Sequence, residues 1–363
     1  MDLLFILGGI IVISIILTLY SLVCYFIFSQ FPKNFQSSTS FLIFYILWAY
    51  MFFIYFSIRK LRLPRIFFQI IYIIFGFWLG FMLYFSLITI FFKILAKFGI
   101  QMHYQFVISI ITTAVILIYG FIQNQKFEIR HFDIKIDKPL PSPITIVSVS
   151  DVHLGYGKTQ KKIESYVNSI NSQTPDVILI AGDLIDDNAQ VLKLHSIAET
   201  LHNLHAPLGI FAVTGNHEFL AGSKEADTFY EEAKIRLLKN EVISLQNGLQ
   251  IVGLEDRSSR RKIDAEDMIQ KVDKLKPIVL LDHQPFKLTK KAELGFDMQI
   301  SGHTHRGQMV PLNLFTSLLF EMDHGYRKIG NCHTFVSSGL SLWGPQFRIG
   351  TQNEMLVIHL SGQ

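Results

Sequence analysis

The chain has 363 residues, of which half are hydrophobic and only 17% are charged, with a net charge of +4. This composition is too apolar for an ordinary soluble domain and predicts a membrane portion. The mild net charge argues against a nucleic-acid partner, and two distant cysteines argue against a disulfide framework or a cysteine-rich zinc site.

The first third of the chain, residues 1–123, is predicted to be a transmembrane region. Four uncharged apolar stretches, at about 3–28, 41–58, 66–92 and 104–122, are each near or above the ~18–20 residues that cross the hydrocarbon layer. Buried soluble helices are the alternative, but four such stretches in succession favour membrane spans. A cleaved signal peptide is not expected, because the first stretch is too long and lacks a basic start.

Basic residues predict the orientation of these spans. The loop "RKLRLPR" after the second stretch is more basic than the other two loops. An even number of spans places this loop, the N-terminus and everything after residue 123 on one side of the membrane. Positive residues favour the cytoplasmic side, so we expect the second half of the chain to be cytoplasmic.

Residues 124–143 are predicted to form a linker and a first strand, because "KFEIRHFDIKI" alternates apolar and polar residues before "KPLPSP". Five short apolar runs then end in polar clusters: "ITIVSVSDVH", "DVILIAGDLIDD", "GIFAVTGNHE", "PIVLLDHQP" and "FDMQISGHTH". Amphipathic stretches of helical length lie between several of them, at 158–170, 189–204 and 224–239. Residues 144–363 therefore predict a layered α/β domain with function on loops at the carboxyl ends of strands.

Every one of the five runs ends in Asp, Asn or His. The residues are Asp151, His153, Asp183, Asn216, His217, His283, His303 and His305. Carboxylate, imidazole and amide oxygen are ligands for hard to borderline divalent metals, and this set supplies enough for two ions. One carboxylate must then bridge the ions, and Asp183 is the natural candidate.

These motifs, read here as "SDVH", "AGDLIDD", "GNHE", "LDHQP" and "GHTH", resemble the calcineurin-like metallophosphoesterase family over about residues 144–360. The resemblance implies a four-layer sandwich, two mixed sheets flanked by helices, with a binuclear metal site. By that match one ion is held by Asp151, His153, Asp183 and His305, and the other by Asp183, Asn216, His283 and His303. The implied reaction is phosphoester or pyrophosphate hydrolysis by a metal-activated water.

Other residues are expected to assist. His217 resembles the family's histidine that contacts phosphate or aids the leaving group, with a structural hydrogen bond as the alternative. Asn216, Arg306 and Arg348 are candidate substrate contacts, although surface salt bridges are rivals for both arginines. Asp187 and Glu218 either orient the ligands or are solvated loop charges.

Nitrogen and oxygen ligands without cysteine permit manganese, iron or zinc. The resemblance favours two divalent ions, with manganese preferred.

The closing segment resembles that of a membrane-associated branch of the family. After the last histidine motif, the apolar stretch 313–322 either contacts lipid or forms a buried core helix. The basic loop 256–262 either meets anionic groups or is solvated.

This layout resembles the UDP-2,3-diacylglucosamine pyrophosphatases of lipid A biosynthesis. That resemblance implies cleavage to 2,3-diacylglucosamine 1-phosphate (lipid X) and UMP at a bacterial inner membrane. The alternatives are a general membrane phosphodiesterase and a non-catalytic membrane sensor or scaffold. The expected partners are an amphiphilic phosphate-containing lipid and the bilayer, and no protein partner is inferred.

Overall fold

The computed structural model describes residues 23–31, 33–36, 39–51, 65–186, 197–261 and 263–363. These residues divide into two compact units, one ending at Phe121 and the other running from Ile122 to Gln363.

The first unit is helical. Residues 23–28 form a helical segment, followed by α1 (Lys33–Gln36), α2 (Thr39–Ala49), α3 (Arg65–Lys97) and α4 (Gln105–Asn124). Among the described residues, α3 and α4 are the helices long and apolar enough to cross a membrane. They correspond to the stretches predicted at 66–92 and 104–122.

The other two predicted spans are not established. Most of the stretch 3–28, and the part of 41–58 beyond residue 51, lie outside the described residues. The four-span prediction therefore has structural support for two helices.

The described part of the second unit contains twelve strands in two sheets. The strands are β1 (Phe127–Lys135), β2 (Ile144–Val149), β3 (Val177–Ala181), β4 (Ile210–Val213), β5 (Arg236–Leu237), β6 (Glu241–Ser244), β7 (Gln250–Gly253), β8 (Ile278–Leu281), β9 (Met298–Ser301), β10 (Gly325–Ile329), β11 (Cys332–Val336) and β12 (Asn353–Ser361). The first sheet has the order β1-β12-β2-β3-β4-β5 and the second has the order β10-β11-β9-β8-β7-β6. Each sheet mixes parallel and antiparallel pairs, so both are mixed sheets.

Helices of the second unit connect and cover these strands. They are α5 (Gln160–Asn171), α6 (Ile197–Leu201), α7 (Asn216–Ala221), α8 (Ser223–Glu232), α9 (Ala265–Met268), α10 (Leu288–Ala292) and α11 (Leu312–Leu319), with short 3-10 turns at Ile269–Lys271 and His305–Gly307.

The alternation of side chains along β3 explains the layers. Ile178 and Ile180 pack in an apolar cluster with residues of α5 and α8. Val177 and Leu179 point the other way and pack against residues of the second sheet. Both faces of the strand are covered, so the strand is a continuous apolar run. The predicted sandwich of two mixed sheets flanked by helices is confirmed.

One predicted helix lies partly outside the described residues, and another ends earlier than predicted. The stretch 189–204 is described only from residue 197, where α6 begins. The helix predicted at 224–239 ends at Glu232, because Lys234 adopts a left-handed backbone with φ of 57°. The chain then pairs with β4 as the strand β5.

Glu354 on β12 joins three parts of the second unit. Its carboxylate accepts hydrogen bonds from Ser338 N at 2.8 Å and from the Arg130 guanidinium at 3.1 Å, and it lies 3.2 Å from Nε2 of His324. Burial raises the pKa of Glu354, but His324, Ser338 and Arg130 outweigh burial and lower the pKa from 4.5 to about 2.

We expect Glu354 to stabilise the fold above pH 4.5 and to lose that contribution as the pH falls towards 2. The difference between these pKa values corresponds to about 3 kcal/mol. In thermal unfolding, the purified wild type should be more stable than Glu354→Gln at pH 7, and this stability difference should shrink by more than half at pH 3. A stability difference that stays constant over this range would contradict the assignment.

Candidate metal centre

The carboxyl ends of five strands carry the predicted donors. β2, β3 and β4 are parallel neighbours in the first sheet, and β8 and β9 are parallel neighbours in the second. Parallel strands place the loops at their carboxyl ends on one edge of the sheet. The two sets of loops meet between the sheets, where His303 N donates to the Asp151 carboxylate at 3.0 Å.

A first group of donors consists of Asp151, His153 and His305, whose candidate ligand atoms lie within 4.8 Å of one another. The Nε2 atoms of His153 and His305 are 3.1 Å apart, and Oδ1 of Asp151 lies 3.5 Å from the second of these. Ligands bound about 2.1 Å from a shared ion stand roughly 3.0–3.4 Å apart. The spacing of this group therefore suits one cation.

A second group consists of Asp183, His283 and His303, again with ligand atoms within 4.8 Å. Oδ2 of Asp183 lies 3.1 Å from Nε2 of His283 and 3.9 Å from Nε2 of His153. Asp183 therefore stands between the two groups, as the sequence analysis expects of a bridging carboxylate.

Several buried nitrogen and oxygen atoms of the predicted ligands make no hydrogen bond within the described part of the chain. They include Nε2 of His283, Nδ1 of His305 and Oδ1 of Asn216. Buried polar atoms are normally hydrogen-bonded, and an unsatisfied one calls for an explanation such as an ion. Nδ1 of His283 donates to the carbonyl of Ala181 at 2.8 Å, which leaves Nε2, 3.1 Å from Oδ2 of Asp183, as the ring nitrogen able to bind an ion. The donor set and its unsatisfied atoms fit divalent metal ions.

The pKa values of the histidines are shifted in different directions across the centre. Burial lowers the pKa of His283, but the carboxylates of Asp183 and Asp151 outweigh burial and raise it well above its ordinary value. Burial and the charge of His283 lower the pKa of His303 to about 4. Burial, His153 and Arg348 hold the pKa of His305 well below its usual range. The carboxylates thus concentrate negative potential around His283, where a cation would also be held.

Five of the predicted ligands have left-handed backbones. The φ angles are 53° for Asp151, 51° for His153, 51° for Asp183, 74° for His303 and 49° for His305. Such a conformation is uncommon outside glycine and is retained where the surrounding structure imposes it. The strained backbone positions are therefore those whose side chains converge at the centre.

Two glycines make room for the carboxylates. A Cβ atom at Gly215 would lie 2.1 Å from Oδ1 of Asp183, and one at Gly302 would lie 2.3 Å from Oδ2 of Asp151. These distances are shorter than any real contact, so a side chain at either position would displace a predicted ligand.

Asp186 is a member of the centre that the sequence analysis missed. Its Oδ1 lies 2.9 Å from Nδ1 of His217 and 3.6 Å from Nδ1 of His153. Asp187, the neighbour singled out from the sequence, lies outside the described residues. Both carboxylates follow the same strand in "AGDLIDD", and only the path of the backbone shows that Asp186 points inward.

His217 lies beside this carboxylate and near the ring of Trp343, with ring centroids 5.7 Å apart. Burial lowers the pKa of His217, but Asp186 and Asp183 outweigh burial and raise the pKa to about 9. Its backbone N–H donates to Oδ1 of Asp183 at 2.9 Å. His217 is absent from the two groups described above, but it forms a third group with His153 and Asp183, whose candidate ligand atoms also lie within 4.8 Å of one another.

Glu218 holds two of the loops together. Its Oε2 accepts from the backbone N–H groups of Gly215 and Asp183, at 2.7 and 3.1 Å. Its Oε1 accepts from Ile185 N at 3.0 Å and Tyr230 Oη at 3.1 Å. Of the two alternatives for this residue, the structure supports positioning of the ligand loops over a solvated charge.

The two arginines proposed as substrate contacts occupy different environments. Arg306 is exposed next to His305. Arg348 is fully buried and donates to the carbonyls of His305, Ser338 and Ser341 at 2.6–2.8 Å. Its Nε also donates to Asn353. This placement leaves the Arg348 guanidinium with no donor directed at a substrate, and its observed role is to hold the last histidine loop.

Comparison with known proteins agrees with this geometry. Residues 144–307 match the family described as calcineurin-like phosphoesterases. An uncharacterized metallophosphoesterase of Campylobacter jejuni is 32% identical over 71% of this chain and 70% of its own length. An uncharacterized metallophosphoesterase of Aquifex aeolicus is 29% identical over 68% of this chain and 96% of its own length. A transmembrane protein with a metallophosphoesterase domain from Danio rerio is 29% identical over 70% of this chain and 62% of its own length.

The chain belongs to the calcineurin-like phosphoesterase family. It is a metal-dependent phosphoester hydrolase, as the five sequence motifs predict. The similarity to a transmembrane protein and the two long apolar helices α3 and α4 indicate membrane association.

Proposed function

We propose that the protein is a membrane-anchored phosphohydrolase with two metal ions bound at the centre described above. One ion would be held by Asp151, His153, Asp183 and His305, and the other by Asp183, Asn216, His283 and His303. The observation that supports this most directly is Asp183, whose Oδ2 stands between histidines of both groups.

A pair of divalent cations, when bound, supplies Lewis acidity that activates water and neutralises charge on phosphoryl oxygens. The chain contributes the rest. Asp186 lies 2.9 Å from Nδ1 of His217 and raises the pKa of that imidazole, which supports a role for His217 in donating a proton to a leaving oxygen. Asn216 and the exposed Arg306 are proposed to contact the phosphoryl group.

The donor atoms are nitrogen and oxygen only, which suits manganese, iron or zinc. We propose manganese as the working metal. Metal content of the purified protein, with reactivation of chelator-treated enzyme by each ion, tests this choice. Reactivation by zinc or iron but not by manganese would exclude it.

Asp183→Asn should abolish metal-dependent hydrolysis of a soluble phosphodiester such as bis(p-nitrophenyl) phosphate. The loss should exceed the roughly 10–100-fold typical of residues that only support ligands. Asp297→Asn is the matched control, because Asp297 is also a buried carboxylate but lies before β9 and pairs with Lys138 at 2.7 Å.

The control Asp297→Asn should retain activity when it is assayed at a temperature at which thermal unfolding shows it to be folded. Equal rates for the wild type and Asp183→Asn would instead favour the non-catalytic sensor or scaffold.

We propose an amphiphilic substrate, with UDP-2,3-diacylglucosamine preferred and a general phosphodiester of membrane lipids as the alternative. Attachment to the membrane supports a lipid substrate, because it keeps the centre near the bilayer. The proposed products are 2,3-diacylglucosamine 1-phosphate and UMP. The relatives named above are described without a substrate, so the choice depends on the sequence resemblance.

Incubation of the manganese-loaded protein with UDP-2,3-diacylglucosamine should release UMP, measured by liquid chromatography. The reason is that a pyrophosphate presents the same phosphoryl centre to the two ions. Simple phosphodiesters and phospholipids serve as competing substrates. Hydrolysis of these without UMP release from the nucleotide lipid would exclude the preferred substrate and retain the phosphodiesterase.

We propose a multi-pass protein of the bacterial inner membrane with its second unit in the cytoplasm. The basic "RKLRLPR" loop supports this side, and a nucleotide-linked substrate would be met there. The bilayer and the lipid substrate are the proposed partners, with no nucleic acid or protein partner.

Reporter fusions after residue 363 test this orientation in bacterial cells. We expect a cytoplasmic reporter such as green fluorescent protein to be active and alkaline phosphatase to be inactive, because the second unit is not translocated. Active alkaline phosphatase would reverse the orientation and remove the support for a cytoplasmic nucleotide-linked substrate.

A further inference from the structure

The helix α11 exposes an apolar face to solvent. Leu314 and Phe315 are 59% and 62% exposed, and Leu318 and Leu319, one turn later, are 83% and 73% exposed. Residues at these spacings lie on one face of a helix. The structure therefore excludes the buried core helix that the sequence left open for this segment.

The polar side of α11 faces the protein. Oγ1 of Thr316 donates to the Asp323 carboxylate at 2.7 Å. The backbone at Asn313 lies so close to Gly307 that a Cβ there would come within 2.4 Å of Asn313 N. A surface helix normally packs its apolar face inward. In α11 the apolar face points outward instead, so it can contact a partner outside the second unit.

Exposed basic residues border the apolar face. Phe320, directly after α11, lies 5.0 Å from the ring of Phe286, and the guanidinium of Arg257 lies 4.4 Å above that second ring. Lys287 follows Phe286 and is exposed, as is Arg306 before the helix.

Nearby carboxylates are already engaged. Glu321 accepts hydrogen bonds from the backbone and hydroxyl of Thr289, and Asp323 accepts from Thr316. These donors are neutral and do not cancel the two carboxylate charges, but the three exposed cations, Arg257, Lys287 and Arg306, outnumber them at the border of the face.

The same surface adjoins the metal centre. The ring of Phe320 lies 6.0 Å from the ring of His303, and His305–Gly307 leads into α11 within a few residues. Whatever covers the apolar face must come close to the proposed ions.

We propose that α11 docks the catalytic unit onto an anionic lipid surface, with its four apolar side chains in the interface and Arg257, Lys287 and Arg306 against headgroup phosphates. An apolar helix face bordered by cations is the composition of an interfacial anchor. A bilayer is also the surface that the chain already reaches through α3 and α4. Docking would present the metal centre to phosphate groups at the headgroup level.

Fluorescence quenching in vesicles tests the docking. Full-length protein carrying Leu318→Cys is labelled with an environment-sensitive thiol probe and reconstituted with phosphatidylcholine and phosphatidylglycerol. Both native cysteines are buried, which favours labelling at the introduced site. Leu275→Cys is the matched control, since Leu275 is 79% exposed and precedes β8, at the edge opposite the metal centre.

Lipids with a nitroxide near the headgroup should quench the probe at 318 several-fold more strongly than the probe at 275. Quenching at 318 should fall when phosphatidylglycerol is omitted, and Arg257→Glu should weaken its dependence on phosphatidylglycerol. Equal quenching at the two positions overturns the proposal. A probe at 318 that is shielded from water but not quenched by nitroxide lipid indicates a protein cover and also overturns it.

The measurement needs no turnover. A protein inactive on every substrate named above can still show docking, and an active one can fail to show it. The outcome for α11 is therefore separate from the outcome for the proposed function.

Discussion

The position of one carboxylate determines most of what surrounds the metal centre. Asp183 must reach histidines of both groups, and it does so from a left-handed backbone directly after β3. Glu218 fixes the backbone N–H of Asp183 and also that of Gly215, where a larger residue would collide with the Asp183 carboxylate. The buried charge is stabilised by neighbouring imidazoles, because burial raises the pKa of Asp183 but His283, His153 and His217 lower it more. Such a centre requires a rigid sandwich around it.

That rigidity comes from contacts made by residues that take no part in the proposed reaction. Arg348 binds three backbone carbonyls, including that of His305, although a buried guanidinium is energetically unfavourable without such partners. Burial lowers the pKa of Arg348 to about 10, so it stays charged at neutral pH. Its charge also lies near enough to Asp151 to offset part of the negative charge of the centre. A side chain interpreted from sequence as a substrate contact thus supports the loop that carries a ligand.

The donors that the structure brings together could be recognised from the sequence, because each lies in a loop after a strand with a clear apolar run. Local pattern did not show that Asp186 turns towards His217, since that depends on the loop path. It also did not show that the helix predicted at 224–239 ends at Glu232, shortly before the left-handed Lys234. For α11, the pattern identified an apolar face, but tertiary packing decides whether that face points to the core or to solvent. Burial of Arg348 is likewise a property of the assembled fold.

The left-handed backbones have an evolutionary consequence. Aspartate, asparagine and histidine tolerate positive φ better than most side chains, whereas β-branched residues are strongly disfavoured there. The residue types that bind metal at Asp151, His153, Asp183, His303 and His305 are therefore also types that these loops can accommodate. In a descendant that had lost its ions, backbone geometry would still restrict these positions to residues that tolerate positive φ, which include aspartate and histidine as well as glycine and asparagine. Retention of these residue types therefore reflects the backbone conformation of the loops as well as catalysis.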